Sequence, residues 1–237
     1  HQDQFKYMEV AAAVDQINEA FREYALDQRP AELYQPIHYM LNRDSDRFYP
    51  LLTLWSCYLF SGAYQKAMVP CLGVEVFYNF LLVHSDLLDE NPEPRDGERI
   101  HEKWNQNVAI LSGDAMIFKA YEFLIQVEPG QVKPVVSYFN RCFTGICEGK
   151  QLALNHPETK NDLETLHLNP GALGEFSMLL GALIGGASQE QQAQIGRLGI
   201  DIAIDKTHSA IPSLEELNLQ EPRLQEFIQW LKTFPNL

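Results

Sequence analysis

The sequence predicts an all-α helical bundle, one domain over residues 1–237. Three observations lead there. Apolar residues recur three and four apart through most of the chain, the period of a helix that buries one face. No pair of alternating apolar runs flanks a tight turn, so no β-hairpin is expected. Long helical segments alternate with short loops, without repeats or low-complexity tracts, as in a bundle.

The elements follow in order. Tyr7 to Leu26 carries the first helical pattern, and Ala31 to Leu41 the second, through Leu33, Ile37, Tyr39 and Met40. Pro50 suits the first turn of a helix running through Leu51, Leu54, Tyr58 and Leu59, and Gly62 ends it. Tyr64 to Leu88 is apolar on most faces, so it should be central and buried. Glu90 to Gly97, with two prolines, a glycine and mixed charge, reads as loop. Glu102 to Ile125 and Gln131 to Leu154 are the next long helices, with Gly130 in the turn between them. His156 to Gly171 is polar and irregular. Helix returns at Ala172 to Gly186 and at Ser188 to Ile204, with Ser188 as N-cap. Ser213 and Glu216 have capping-box spacing, and Glu221 to Phe234 is a last amphipathic helix.

Composition narrows the function. Eighteen Lys and Arg against 32 Asp and Glu give a net charge of -14. Phosphate-backbone binding needs clustered cations, so no nucleic-acid partner is expected. No uninterrupted apolar run approaches the ~20 residues of a membrane span, and no transmembrane segment is expected. Cys57, Cys71, Cys142 and Cys147 are scattered through apolar stretches, without a CxxC pair or zinc-finger spacing. They read as reduced, mostly buried thiols in a cytoplasmic protein.

The chemistry concentrates at the end of the central helix, His84-Ser85-Asp86-Leu87-Leu88-Asp89. Asp86 and Asp89 are three apart and share a helix face. Two carboxylates at a helix carboxyl terminus repel each other and the macrodipole, a conflict that a Mg2+ ion with bound phosphates would relieve. The plainer reading, a solvated helix end, fits the spacing as well.

The residues around this motif carry a resemblance. His84 to Asp89, the following loop to Ile100-His101, Glu102-Lys103-Trp104 and Val108 to Asp114 closely resemble the trans-type isoprenyl diphosphate synthases, or polyprenyl synthetases. Leu33 to Ile37 with Tyr39 to Leu41, Cys147 to Leu152, Leu180 to Ala187 and Ser213 to Leu231 resemble further segments of that family, in the right order. The resemblance implies an isoprenyl/terpenoid-synthase-like bundle around a central cavity, dimeric as the family is. It implies a Mg2+-dependent prenyltransferase that joins isopentenyl diphosphate to an allylic diphosphate. Asp86 and Asp89 would then be the catalytic metal ligands. Arg47 and Arg95 would contact pyrophosphate, while Gln151 and His84 line the substrate site. Phe80, one of the bulky residues before the motif, would set a floor for a short product.

Several positions depart from the family pattern. Ser85 stands where the family has the first Asp of its Asp-Asp-x-x-Asp motif. Asp46 and Tyr49 stand where it has a Lys and an Arg, in the run Asp44 to Pro50. Pro94-Arg95-Asp96-Gly97 takes the place of Arg-Arg-Gly-Lys, Lys150 and Ala153 replace a Gln and an Asp, and Asn169-Pro170 replaces Lys-Thr. The family's second Asp-rich motif should follow Gly199 to Ile204, but Asp205-Lys206-Thr207-His208 comes directly after. These changes keep a second expectation open: a non-catalytic homologue serving as partner subunit of an active synthase, or as an isoprenoid-binding protein.

Overall fold

Twelve α-helices, joined by turns and short 3-10 segments, make up the described residues, and no strand occurs among them. The computed structural model describes residues 8–89, 97–205, 210–219 and 222–234. Helix α1 (Val10–Arg22) is shorter than its pattern suggests, because the left-handed backbone of Ala25 (φ 70°) ends helical geometry before Leu26. Helix α2 (Ala31–Leu41) matches its predicted span. Helix α3 (Phe48–Ser61) has Pro50 in its first turn and stops at Gly62, whose φ of 78° a residue with a Cβ adopts only with strain. Helix α4 (Met68–Leu88) is buried along most of its length, as its all-round apolarity requires.

The stretch expected as one helix from Glu102 to Ile125 is instead two, α5 (Ile100–Lys103) and α6 (Gln106–Leu124). The side chain of Asn105 accepts the Val108 N–H at 2.9 Å, a cap that starts a new helix at that point. Helix α7 (Val132–Asn155) follows. The polar segment after it, expected to be irregular, contains the short α8 (Leu163–Leu168). Helices α9 (Gly171–Ile184) and α10 (Gln189–Ile204) come next, the latter opened by a capping box between Ser188 and Gln191. Ser213 lies inside α11 (Ile211–Glu216) rather than capping it, because Pro212 already sits in the first turn. Helix α12 (Arg223–Thr233) closes the chain.

Helix α9 lies between α3 and α10, and α4 packs against α3, α2 and α6. Close approach of α9 to both neighbours depends on missing side chains. A Cβ on Gly174 would sit 2.1 Å from the Gly199 carbonyl oxygen of α10, and one on Gly181 would sit 2.1 Å from the Thr53 carbonyl oxygen of α3. Buried hydroxyls reinforce the second contact: Thr53 donates to the Ser177 carbonyl (2.9 Å) and Ser56 to that of Met178 (2.6 Å). Trp55 of α3 meets Phe227 and Trp230 of α12, and Phe48 stacks on Trp230, so aromatic contacts hold the last helix. The span Gln65–Leu88 is long and apolar enough to cross a membrane by length and composition, beyond what the uninterrupted runs suggested. Most of it, 72% of the apolar window, is buried against protein, the position of a core helix.

A candidate active site at the carboxyl end of helix α4

The last turn of α4 carries Ser85, Asp86 and Leu88, and Asp89 caps it. Two carboxylates here oppose the helix dipole, and the fold answers with cations from elsewhere. Arg99, just before α5, brings its Nε to 3.4 Å from Asp86 Oδ1, with both side chains largely buried. Its guanidinium also lies 3.6 Å from Glu102. One residue earlier, Lys150 of α7 donates from Nζ to Ser85 Oγ at 2.6 Å. Burial pushes the Lys150 pKa below the ordinary lysine value. The family's Asp-rich helix and its mid-chain motif are thus joined by a lysine–serine contact.

Beside this contact opens a cleft of about 310 Å3, lined by Ser85, Asp89, Lys150, Ala153, Lys160 and Asn169 among others. A second cleft, of about 520 Å3, is lined by Tyr39, Arg43, Asp44, Asp46, Tyr78 and Asn79 among others. Both touch the carboxyl half of α4, which contributes Tyr78, Asn79 and Leu82 to one and Ser85, Leu88 and Asp89 to the other.

The expected site residues are dispersed. Asp86 and Asp89 are at the α4 terminus, but only Asp89 lines the smaller cleft. Arg47 is 3% exposed, and each of its guanidinium nitrogens has a protein partner. Nη1 meets Glu75 at 3.2 Å, Nε donates to Asn18 at 3.0 Å and Nη2 to the Leu41 carbonyl at 2.8 Å. The neighbouring acid has a local use as well: Asp46 Oδ1 accepts the Phe48 N–H at the start of α3. Gln151 is exposed and donates to Asn155 Oδ1 one turn along α7, while its neighbour Lys150 faces the site. Consecutive helix residues do not share a face, so the two cannot both line the cleft. Arg95 lies outside the described residues.

Phe80 is buried and His84 is half-buried. Their rings lie 4.2 Å apart, and Phe80 continues into a cluster with Phe77 and Phe143. His84 Nε2 is buried without a hydrogen-bond partner, against Gly113 of α6, where a Cβ would come within 2.9 Å of it. Burial lowers the His84 pKa below the ordinary histidine value, with Asp114 opposing the shift and Lys150 adding to it.

Arg99, Lys150, Lys160 and Arg43 are the cations that the sequence motifs did not single out as ligands. Lys150 alone left a signal, as a Lys where the resemblance expects Gln.

Residues 30–204 match the family model described as Polyprenyl synthetase. The chain belongs to the polyprenyl synthetase family. Family members are prenyltransferases that build isoprenoid chains, bind isoprenyl diphosphates and use a divalent metal ion. The chain is 30% identical over 183 residues to a geranylgeranyl diphosphate synthase of Methanosarcina mazei, a match covering 74% of this chain and 56% of the relative. It is 29% identical over 226 residues to a dimethylallyltranstransferase of Fischerella ambigua, covering 88% and 65%. A crystal structure of a geranylgeranyl pyrophosphate synthase superposes with a TM-score of 0.77 at 29% identity, over 89% of this chain and 64% of that one. The chain spans less than two thirds of the length of these relatives. The family match ends at Ile204, the last residue of α10.

Proposed function

We propose that this member of the polyprenyl synthetase family extends an allylic diphosphate with isopentenyl diphosphate at the carboxyl end of α4. The observation that carries the reading is the pair of clefts flanking that helix end, one for each diphosphate substrate. The smaller cleft, with Lys150, Lys160 and Ser85, suits the allylic diphosphate; the larger one, with Arg43, would take isopentenyl diphosphate. In the reaction the allylic carbon–oxygen bond breaks, releasing pyrophosphate and leaving an allylic cation. The alkene of isopentenyl diphosphate forms the new carbon–carbon bond, and loss of a proton restores a double bond. Cations around the departing pyrophosphate stabilise its charge. The aromatic interior around Phe80, Phe77 and Phe143 would shield the cation from water and limit chain length, with a geranylgeranyl-type or shorter product.

Magnesium at Asp86 and Asp89 is what the resemblance implies, but the donor set is thin. Asp86 is compensated by Arg99, and Lys150 stands beside Ser85. Among the described residues no group of three or more His, Cys, Asp or Glu side chains could hold a metal ion. Arg47 acts in this reading as a support for the start of α3, not as a pyrophosphate contact.

A second copy of the chain is the proposed partner. Leu111, Phe118 and Ile125 are exposed apolar residues spaced seven apart along and just beyond α6, a stripe suited to a helix of another protomer. The matched relatives are synthases, so the non-catalytic alternative gains no support from them.

The test supplies purified protein with Mg2+, isopentenyl diphosphate and dimethylallyl, geranyl or farnesyl diphosphate, and extracts prenyl products. A lengthened prenyl diphosphate from at least one pair is expected. No product from any pair overturns the reading.

A further inference from the structure

The smaller cleft holds a feature that its family does not explain. In a chain of net charge -14, two lysines line one cleft, and among the described residues neither makes an ion pair. Among the described residues the side-chain hydrogen-bond partner of Lys150 is the Ser85 hydroxyl. An ammonium has three donors, so Lys150 has donors to spare for a ligand. Burial already holds its charge at a cost, and an anion in the cleft would offset that cost.

The sequence changes around the cleft point the same way. Ser85 and Ala153 stand where the resemblance expects carboxylates, and Lys150 where it expects an uncharged Gln. Asn169 stands where it expects a lysine, and it lines the same cleft. The fold therefore brings the lost and the gained cation together. The positive charge has moved from one wall, just before α9, to the other, on α7, while two of the expected acids, at positions 85 and 153, are replaced and Asp86 and Asp89 remain. Among the described residues Asp89 is the one carboxylate lining the cleft.

We propose that Lys150, supported by Lys160 and Ser85, binds the diphosphate group directly and makes that binding independent of a divalent metal. The proposal rests on the reading that this cleft takes a diphosphate, and it adds which group on the protein supplies the charge. Lys150 is then a substrate-binding residue, its Nζ shifting from Ser85 Oγ onto a diphosphate oxygen.

Calorimetric titration of the full chain with inorganic pyrophosphate tests this, first in excess EDTA and then with Mg2+. Wild-type protein is expected to bind pyrophosphate in EDTA. Lys150→Gln should weaken that binding by roughly 10–100-fold, the worth of a charged hydrogen bond, and Lys160→Gln by less. Both variants should keep the wild-type melting temperature, so that a loss reports on the cleft and not on folding. The pair Ser85→Asp with Lys150→Gln should bind pyrophosphate only when Mg2+ is present. Wild-type binding that vanishes in EDTA, or Lys150→Gln protein that binds as wild type does, overturns the proposal. The synthase reading has its own readout. Product formation with unchanged pyrophosphate affinity in Lys150→Gln keeps that reading and sinks this one. Lys150-dependent binding in EDTA by a protein that forms no product does the reverse.

Discussion

Arg47 and Lys150 are both basic residues in family motifs, yet they do opposite things. Arg47 is sealed against Glu75, with side-chain exposures of 4% and 1%. Removing one partner of such a pair leaves the other buried and uncompensated, at about 3–5 kcal/mol. Arg47→Ala should therefore lower the thermal midpoint by on the order of 10 °C, measured by circular dichroism. A residue acting only on pyrophosphate would lose ligand affinity and keep its melting point. His84 gives a pH signature. Its folded pKa is lowered by burial, so the stability it permits is fully present above about pH 6.5 and is lost as pH falls through the lower folded value. Urea denaturation from pH 7 to 5 should show stability falling in wild type, with a flatter profile in His84→Leu. At this scale the sequence was least legible. The motif around Asp44 to Pro50 preserved Arg47, but which way its side chain turns is decided by Glu75, 28 residues away. Gln151 and Lys150 are adjacent in sequence, and only the rotation of α7 decides which one meets Ser85.

Helices were far more legible than side chains, because periodicity and caps are local. The span of α2, the Gly62 stop and the Ser188 cap all follow from neighbouring residues. Failures came where one local signal outranked another. The apolar period runs on from Glu102, but Asn105 caps and restarts the helix. The Ser213–Glu216 spacing suggested a cap, but Pro212 had already begun the turn. Helix–helix contact is where a single methyl group tells. In Gly174→Ala the new Cβ would meet the Gly199 carbonyl oxygen of α10 at 2.1 Å, and backbone cannot swing aside as a side chain can. Overpacking of this kind costs about 1–3 kcal/mol. The midpoint of urea unfolding should fall accordingly, and an unchanged midpoint would mean that α9 and α10 sit farther apart.

For the whole molecule, the net charge of -14 and the exposed stripe on α6 pull against each other. Like-charged copies repel, and in the proposed dimer Leu111, Phe118 and Ile125 would supply the apolar contact that outweighs the repulsion. Phe118 is 68% exposed, so a charge there leaves the interior untouched. Phe118→Glu should convert a dimer into a folded monomer in sedimentation equilibrium, and wild-type dissociation should decrease as salt rises. The all-α class was readable from the chain alone, since it needs only the period and the absence of hairpin turns. The clefts were not, because each gathers residues from helices far apart in sequence.

The glycine contacts of α9 also bear on the timing of local opening. A helix seated by its backbone against α3 on one side and α10 on the other has little outer face from which to fray. Its amide protons should exchange with deuterium only when the entire bundle unfolds, as in the slowest cooperative unit of a protein. Helix α12, held through side chains on one face, should exchange earlier. In that order of opening, the wall of the smaller cleft formed at Asn169 borders the slowest helix to open, a firm backstop for the lysines opposite.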